Sequence, residues 1–161
     1  MSNTSDTEPK GGGPLPGFLR PPIVFLSAIL LGIALNRIWP LPFLPSILAL
    51  LGPLVTVCAV ILFVLSFREF RAAGTSVRGT ERTTTIVGTG PYRFSRNPIY
   101  VSFILLGLGL SVWLNGLWLL VTLVPAVGFI VVVVIPREER FLERNFGDQY
   151  SSYKATVRRW F

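Results

Sequence analysis

Residues 97–136 contain no charged side chain. A helix crosses the hydrocarbon layer in about 20 apolar residues, so this run is too long for a single crossing. Asn115-Gly116 interrupts it midway, between Trp113 and Trp118, two residues suited to the membrane interface. Two crossings joined by a tight turn satisfy the pattern, over residues 98–113 and 117–135. Such a hairpin returns the chain to the side it left. Whatever precedes residue 97 therefore meets whatever follows residue 136.

The rest of the chain extends the same reading. Of its 161 residues 51% are hydrophobic and 14% charged, against about 25% charged in soluble domains. Two earlier apolar runs, 22–39 and 46–70, read as further spans, the second kinked near Gly52-Pro53. The expected fold is an all-α membrane bundle of four transmembrane helices with an interfacial helical tail over 136–161. Residues 1–17 lack periodicity and read as a disordered tail, leaving 18–161 as one domain. No small-residue cleavage site closely follows the run after Arg20, so that run does not read as a signal peptide. Of 15 Lys and Arg, all but Arg37 fall on the side of the N-terminus, the 71–97 loop and the C-terminal tail. The positive-inside rule makes that side cytoplasmic, in the inner membrane. Gly107, Gly109 and Gly128 are candidates for close helix approach. Residues 83–87 read as briefly extended.

Composition also excludes chemistry. The chain has no histidine, which removes His-based acid–base catalysis, Ser-His-Asp triads and the usual zinc sites; no metal centre is expected. Cys58 lies in an apolar run and reads as a packing residue. The net charge of +7 flanks the spans, so it fits orientation and anionic head groups rather than nucleic acid.

Two polar segments bracket the hairpin. Gly88-Thr-Gly90-Pro91-Tyr92-Arg93 and Arg96-Asn97-Pro98-Ile-Tyr100 enter it, and Glu138-Glu139 leave it. Glycines admit a ligand to the backbone. Arg93 and Arg96 offer forked donors for a carboxylate or phosphate, although snorkelling to head groups would also explain them. Acidic residues are costly beside hydrocarbon. Glu138 and Glu139 could hold a sulfonium, an amino group or a ribose hydroxyl, or simply pair with Arg137 and Arg140. Asn97-Pro98 is a helix-start signal.

Taken together, Gly-Pro-Tyr-Arg-x-x-Arg-Asn-Pro-x-Tyr, two spans, then Glu-Glu-x-x-Leu-x-x-x-Phe-Gly-x-x-Tyr-x-x-Tyr resembles the isoprenylcysteine carboxyl methyltransferase family. The resemblance covers residues 88–153, and phospholipid N-methyltransferases are similar in the same region. It implies S-adenosylmethionine as methyl donor at the cytoplasmic face and a lipophilic acceptor among membrane lipids. It implies cofactor-binding roles for Gly88, Gly90, Pro91, Tyr92, Asn97, Pro98, Tyr100 and Glu138, and catalytic roles for Arg96 and Glu139. Many members carry His where this chain has Asn97, which cannot titrate near neutrality. An acceptor needing deprotonation there would be poorly served, whereas a carboxylate such as that of a prenylated cysteine needs no base. Competing readings are a phospholipid amine N-methyltransferase, an NADPH-dependent reductase of the steroid-reductase type, and a small non-enzymatic membrane protein. Against the last, no charge lies deep in a span.

Overall fold

A computed structural model describes residues 20–74 and 85–160. The expected 1–17 tail and part of the 71–97 loop, including Thr83 and Thr84, lie outside these. Every element among the described residues is helical.

Helix α1 (Pro21–Ile38) starts with prolines in its first turn, where a missing N–H costs nothing. A short α2 (Ser46–Ala49) leads into α3 (Leu51–Ala72). The break falls at Leu50, ahead of Pro53, which cannot donate to the Ala49 carbonyl. Next come a 3₁₀ turn (Gly90–Arg93) and α4 (Pro98–Trp113). Helix α5 (Leu117–Phe129) then passes through a π turn (Ile130–Val134) into α6 (Ile135–Phe146), and α7 (Asp148–Thr156) follows. Pro136, in the first turn of α6, cannot donate an N–H, and the widened turn just before it accommodates that loss. The expected boundary at 136 is therefore not a helix end: one helical stretch runs on to Phe146. Residues 85–87 form no strand.

Three helical stretches, Pro21–Ile38, Ser46–Ala72 and Leu117–Phe146, are long and apolar enough to cross a membrane. At 16 residues, α4 is shorter. It packs most extensively on α3 and also contacts α1 and α5. Small residues set these approaches. A Cβ on Gly52 would lie 2.3 Å from the Trp113 backbone nitrogen, and one on Gly109 would lie 2.8 Å from that of Thr56. Side chains there would force α3 and α4 apart. Gly107 meets only the side-chain tip of Leu123 of α5, and Gly128 faces open space and brings no helix close.

The two ends of the bundle differ. At one end the Asn115 side-chain amide replaces secondary structure. Its oxygen accepts from Phe43 and Leu44 N–H at 3.0 and 2.9 Å, and its nitrogen donates to the Leu44 carbonyl at 2.8 Å. Asn115 also holds φ at 45°, a conformation Asn tolerates better than most residues. Asn115→Ala should lower stability by about 2 kcal/mol, since it strands two backbone donors and strains the turn. Thermal unfolding in micelles measures this, and a shift no larger than that of an exposed surface substitution would exclude the amide as the tie.

At the other end, Phe25, Tyr100, Leu123, Ile130, Val134 and Ile135 form the apolar core, with Trp160 packed against it. This core is the floor on which the polar residues stand.

Candidate functional site

The 88–97 segment is folded largely by its own residues. Gly90 sits at φ +56°, a region where only glycine is unstrained, and so reverses the chain into the 3₁₀ turn. Tyr92 N–H donates to Thr89 O at 3.1 Å, and Phe94 and Ser95 N–H donate to Pro91 O. Asn97 occupies the position before α4, but its side chain does not cap that helix. It donates to the Arg159 carbonyl at 3.1 Å, while the Asn97 backbone N–H donates to Ser95 Oγ.

Arg159 belongs to a C-terminal strap. Residues 157–160 cross back over the segment: Arg96 N–H donates to Arg158 O at 3.0 Å and Ser95 Oγ–H to Arg159 O at 3.2 Å. The strap ends on Trp160, packed into the core.

The charges meet beneath it. Glu139 receives two guanidinium groups. Arg159 grips it bidentately, Nη2 to Oε2 at 2.7 Å and Nε to Oε1 at 3.2 Å. Arg96 Nη1 stands 3.1 Å from Oε1, yet without hydrogen-bond alignment. Arg96 Nε and Nη1 are therefore buried donors with no acceptor. The Arg96 side chain is only 10% exposed, and a buried donor left unmade costs about 1–3 kcal/mol. Arg137 and Arg140 do not pair with these carboxylates: Arg137 is exposed, and Arg140 Nε donates to its own helix at Pro136 O.

Glu138 takes a different partner. Tyr100 Oη–H donates to its Oε1 at 2.7 Å. Although Glu138 is half-buried by surface, protein packs densely around the carboxylate, and that desolvation pushes its pKa up to about 7. The Tyr100 bond pulls it down, and the neighbouring Glu139 charge pushes it up again.

Aromatic hydroxyls line the rest. Tyr92 is buried, with Phe70 edge-on at 5.1 Å. Burial raises its pKa well above the usual tyrosine value, and the fields of Tyr153, Glu138 and Glu69 add to the rise. Tyr92 thus lies within the fields of two carboxylates, Glu138 and Glu69. Tyr153 Oη–H donates to Tyr92 O at 2.8 Å, and burial pushes Tyr153 up to about 12. Tyr150 is buried beside Arg96 and is likewise raised, chiefly by burial.

The residues singled out from sequence are distributed unevenly. Arg96 meets Glu139, and Tyr100 meets Glu138. Tyr92 and Pro98 are buried next to them, and Asn97 is tied to the strap. Gly88 is exposed, lying against the Tyr153 ring. Gly90 and Pro91 face a groove on the α3 side. Sequence reasoning passed over Glu69, Ser95, Arg159 and Trp160. Glu69 carried the signal that picked out Glu138, an acid at the end of an apolar span. Arg159 and Ser95 act through a strap that no residue pattern announces. No cluster of metal-ligating side chains exists among the described residues.

The arrangement can bind a carboxylate on Arg96, hold a cation or donor hydroxyl at Glu138, and move a proton at Glu138. It sits where an apolar bundle meets a polar surface.

An uncharacterized protein of Haemophilus influenzae is 45% identical over 67 residues, covering 38% of this chain and 98% of that one. No solved structure matches the chain. Residues 47–149, from α2 to the start of α7, match the phospholipid methyltransferase family. That stretch is most of the chain and contains Arg96, Tyr100, Glu138 and Glu139. The chain is a member of the phospholipid methyltransferase family.

Proposed function

We propose that the protein is an S-adenosylmethionine-dependent methyltransferase of the inner membrane that methylates a lipid head group. It crosses the bilayer four times, with α4 as the short, protein-enclosed span and both termini cytoplasmic. The observation that carries the reading is the pair of unmet donors on buried Arg96 beside Glu139 and the buried Tyr150. A buried guanidinium with free donors fits the carboxylate of the methyl donor. Glu138 fits that donor's cationic or hydroxyl groups, and the 88–92 backbone fits an approach without side chains in the way.

When bound, S-adenosylmethionine supplies a methyl group already activated as a sulfonium, so the chain's own work is placement and proton management. Glu139, fixed by Arg159, sets the direction of the Arg96 fork. Tyr92 and Tyr150, both buried, keep water from Arg96 and Glu138. Glu138 can accept a proton near neutrality.

Two acceptor chemistries fit. An ionised carboxylate, as in a prenylated cysteine, needs no base. A lipid amine must lose a proton before it attacks, and Glu138 supplies a base with a pKa near the working pH. That base and the family favour the amine. The missing histidine at position 97 is then no obstacle, because the base stands on α6.

Calorimetry on the purified full-length protein tests the cofactor. S-adenosylhomocysteine should bind at about micromolar strength, in keeping with the usual range of enzyme–substrate affinities, and NADPH should not. Binding of NADPH with none of S-adenosylhomocysteine would replace this reading by a reductase.

A further inference from the structure

A groove of about 570 Å³ lies against Gly90 and Pro91, and neither Glu138 nor Glu139 lines it. Its walls are Leu62 and Leu65 of α3, Phe94, and Pro98 at the start of α4. Its volume lies within the range of about 300–1,000 Å³ typical of small-molecule sites. Phe94 and Leu65 are 69% and 44% exposed, so the groove is greasy and open.

Two opposite charges also line it, Glu69 and Arg93. Glu69 is built into the turn. Its Oε2 accepts the Thr89 hydroxyl, and its Oε1 lies where a Cβ on Gly90 would come within 2.7 Å. Glu69 forms no salt bridge among the described residues, and neither does Arg93. A ligand's ammonium group would supply the counter-charge that Glu69 lacks among the described residues.

We propose that this groove is an entrance seat for the acceptor lipid, with an aliphatic chain along Leu62, Leu65 and Phe94 and a zwitterionic head between Glu69 and Arg93, and that Glu69 selects heads carrying an ammonium group. The proposal rests on the lipid-methyltransferase reading and adds a place and a selecting residue to it. Charge complementarity fixes the occupant. Glu69 meets the cationic part, Arg93 meets the phosphate, and the apolar walls meet the chain. A purely anionic lipid would satisfy Arg93 but set its charge against Glu69. Selection then takes place at the groove and chemistry at Arg96 and Glu138.

Native mass spectrometry of the full-length protein in micelles tests this with two probes, dioctanoyl phosphatidylethanolamine and dioctanoyl phosphatidic acid. The wild type should prefer the ammonium-bearing lipid by about 10-fold, and Glu69→Gln should cut that preference to about 2-fold or less, as expected for loss of one charge-assisted contact. Glu69→Asp, which keeps the charge, should restore most of it and so separates selection from folding. Leu65→Trp, which fills the groove, should weaken both lipids by about 5-fold or more through steric exclusion. S-adenosylhomocysteine affinity should be unchanged in Leu65→Trp, a position outside the 88–92 turn. An unchanged preference in Glu69→Gln overturns the selecting role, and unchanged lipid occupancy in Leu65→Trp overturns the seat. Failure of the wild type to bind S-adenosylhomocysteine would instead overturn the methyltransferase reading, which the calorimetry reports separately.

Discussion

Replacing Arg96 with lysine should leave a folded, inserted protein that transfers methyl groups about 10- to 100-fold more slowly, the loss expected when two reactants are held but misaligned. Lysine keeps the positive charge beside Glu139, so the buried carboxylate is not stranded. It lacks the planar fork, however, and cannot present two parallel donors. Nε and Nη1, the two buried donors without acceptors, have no counterpart in lysine. The deficit should appear in turnover and in S-adenosylhomocysteine affinity together, because the same fork orients the donor's carboxylate. Arg93→Lys, at an exposed position, should leave donor affinity intact and serves as the control. Near wild-type turnover in Arg96→Lys at matched expression would rule out bidentate positioning.

Changing Glu138 to glutamine should cost more, about 10²-fold or beyond, as is typical when a positioned general base is removed. The pH profile is the sharper measurement. The base form of Glu138 prevails above its raised pKa of about 7. Wild-type turnover on a lipid amine should therefore rise as pH increases toward 7 and level off above it. Glutamine cannot titrate, so the step should vanish. Tyr100→Phe removes the hydrogen bond that favours the charged carboxylate, so the step should survive and move to higher pH. A profile that keeps its step in Glu138→Gln would transfer the proton to another group. A flat wild-type profile would favour an acceptor that is already ionised.

The helical hairpin was legible because uncharged residues over 97–136 leave few alternatives, and that constraint alone brings Arg96 to Glu139. Asn97-Pro98 marked the start of α4 to the residue, since proline restricts its own φ and the residue before it. The break at Leu50 was less legible. It reflects both Pro53 and the backbone of Trp113 pressed against Gly52, and only the first is local. Glu69 was read as the end of a span because its partners, Thr89 and Gly90, lie about 20 positions on. The strap was hidden for a different reason. It holds Ser95, Arg96 and Asn97 through backbone carbonyls of Arg158 and Arg159, and carbonyls are common to every residue type.

The π turn at Ile130–Val134 sets the angular phase of everything beyond it. A π turn is equivalent to one residue inserted into an α-helix, and each residue advances the helix by about 100°. Glu138 and Glu139 face Tyr100 and Arg96 only with that offset in place. Deleting one valine from the Val131–Val134 run would shorten the chain by a single apolar residue and leave hydropathy almost unchanged. It would also let the helix relax to uniform pitch, and because the residue lost is the one the widened turn absorbs, both carboxylates would keep their facing. The geometry of the candidate site is thus encoded partly as a residue count: losing one valine from this otherwise featureless tract should be tolerated, whereas one valine more, which the single widened turn does not absorb, should swing both carboxylates about a quarter turn away and be as damaging as a substitution in the site itself.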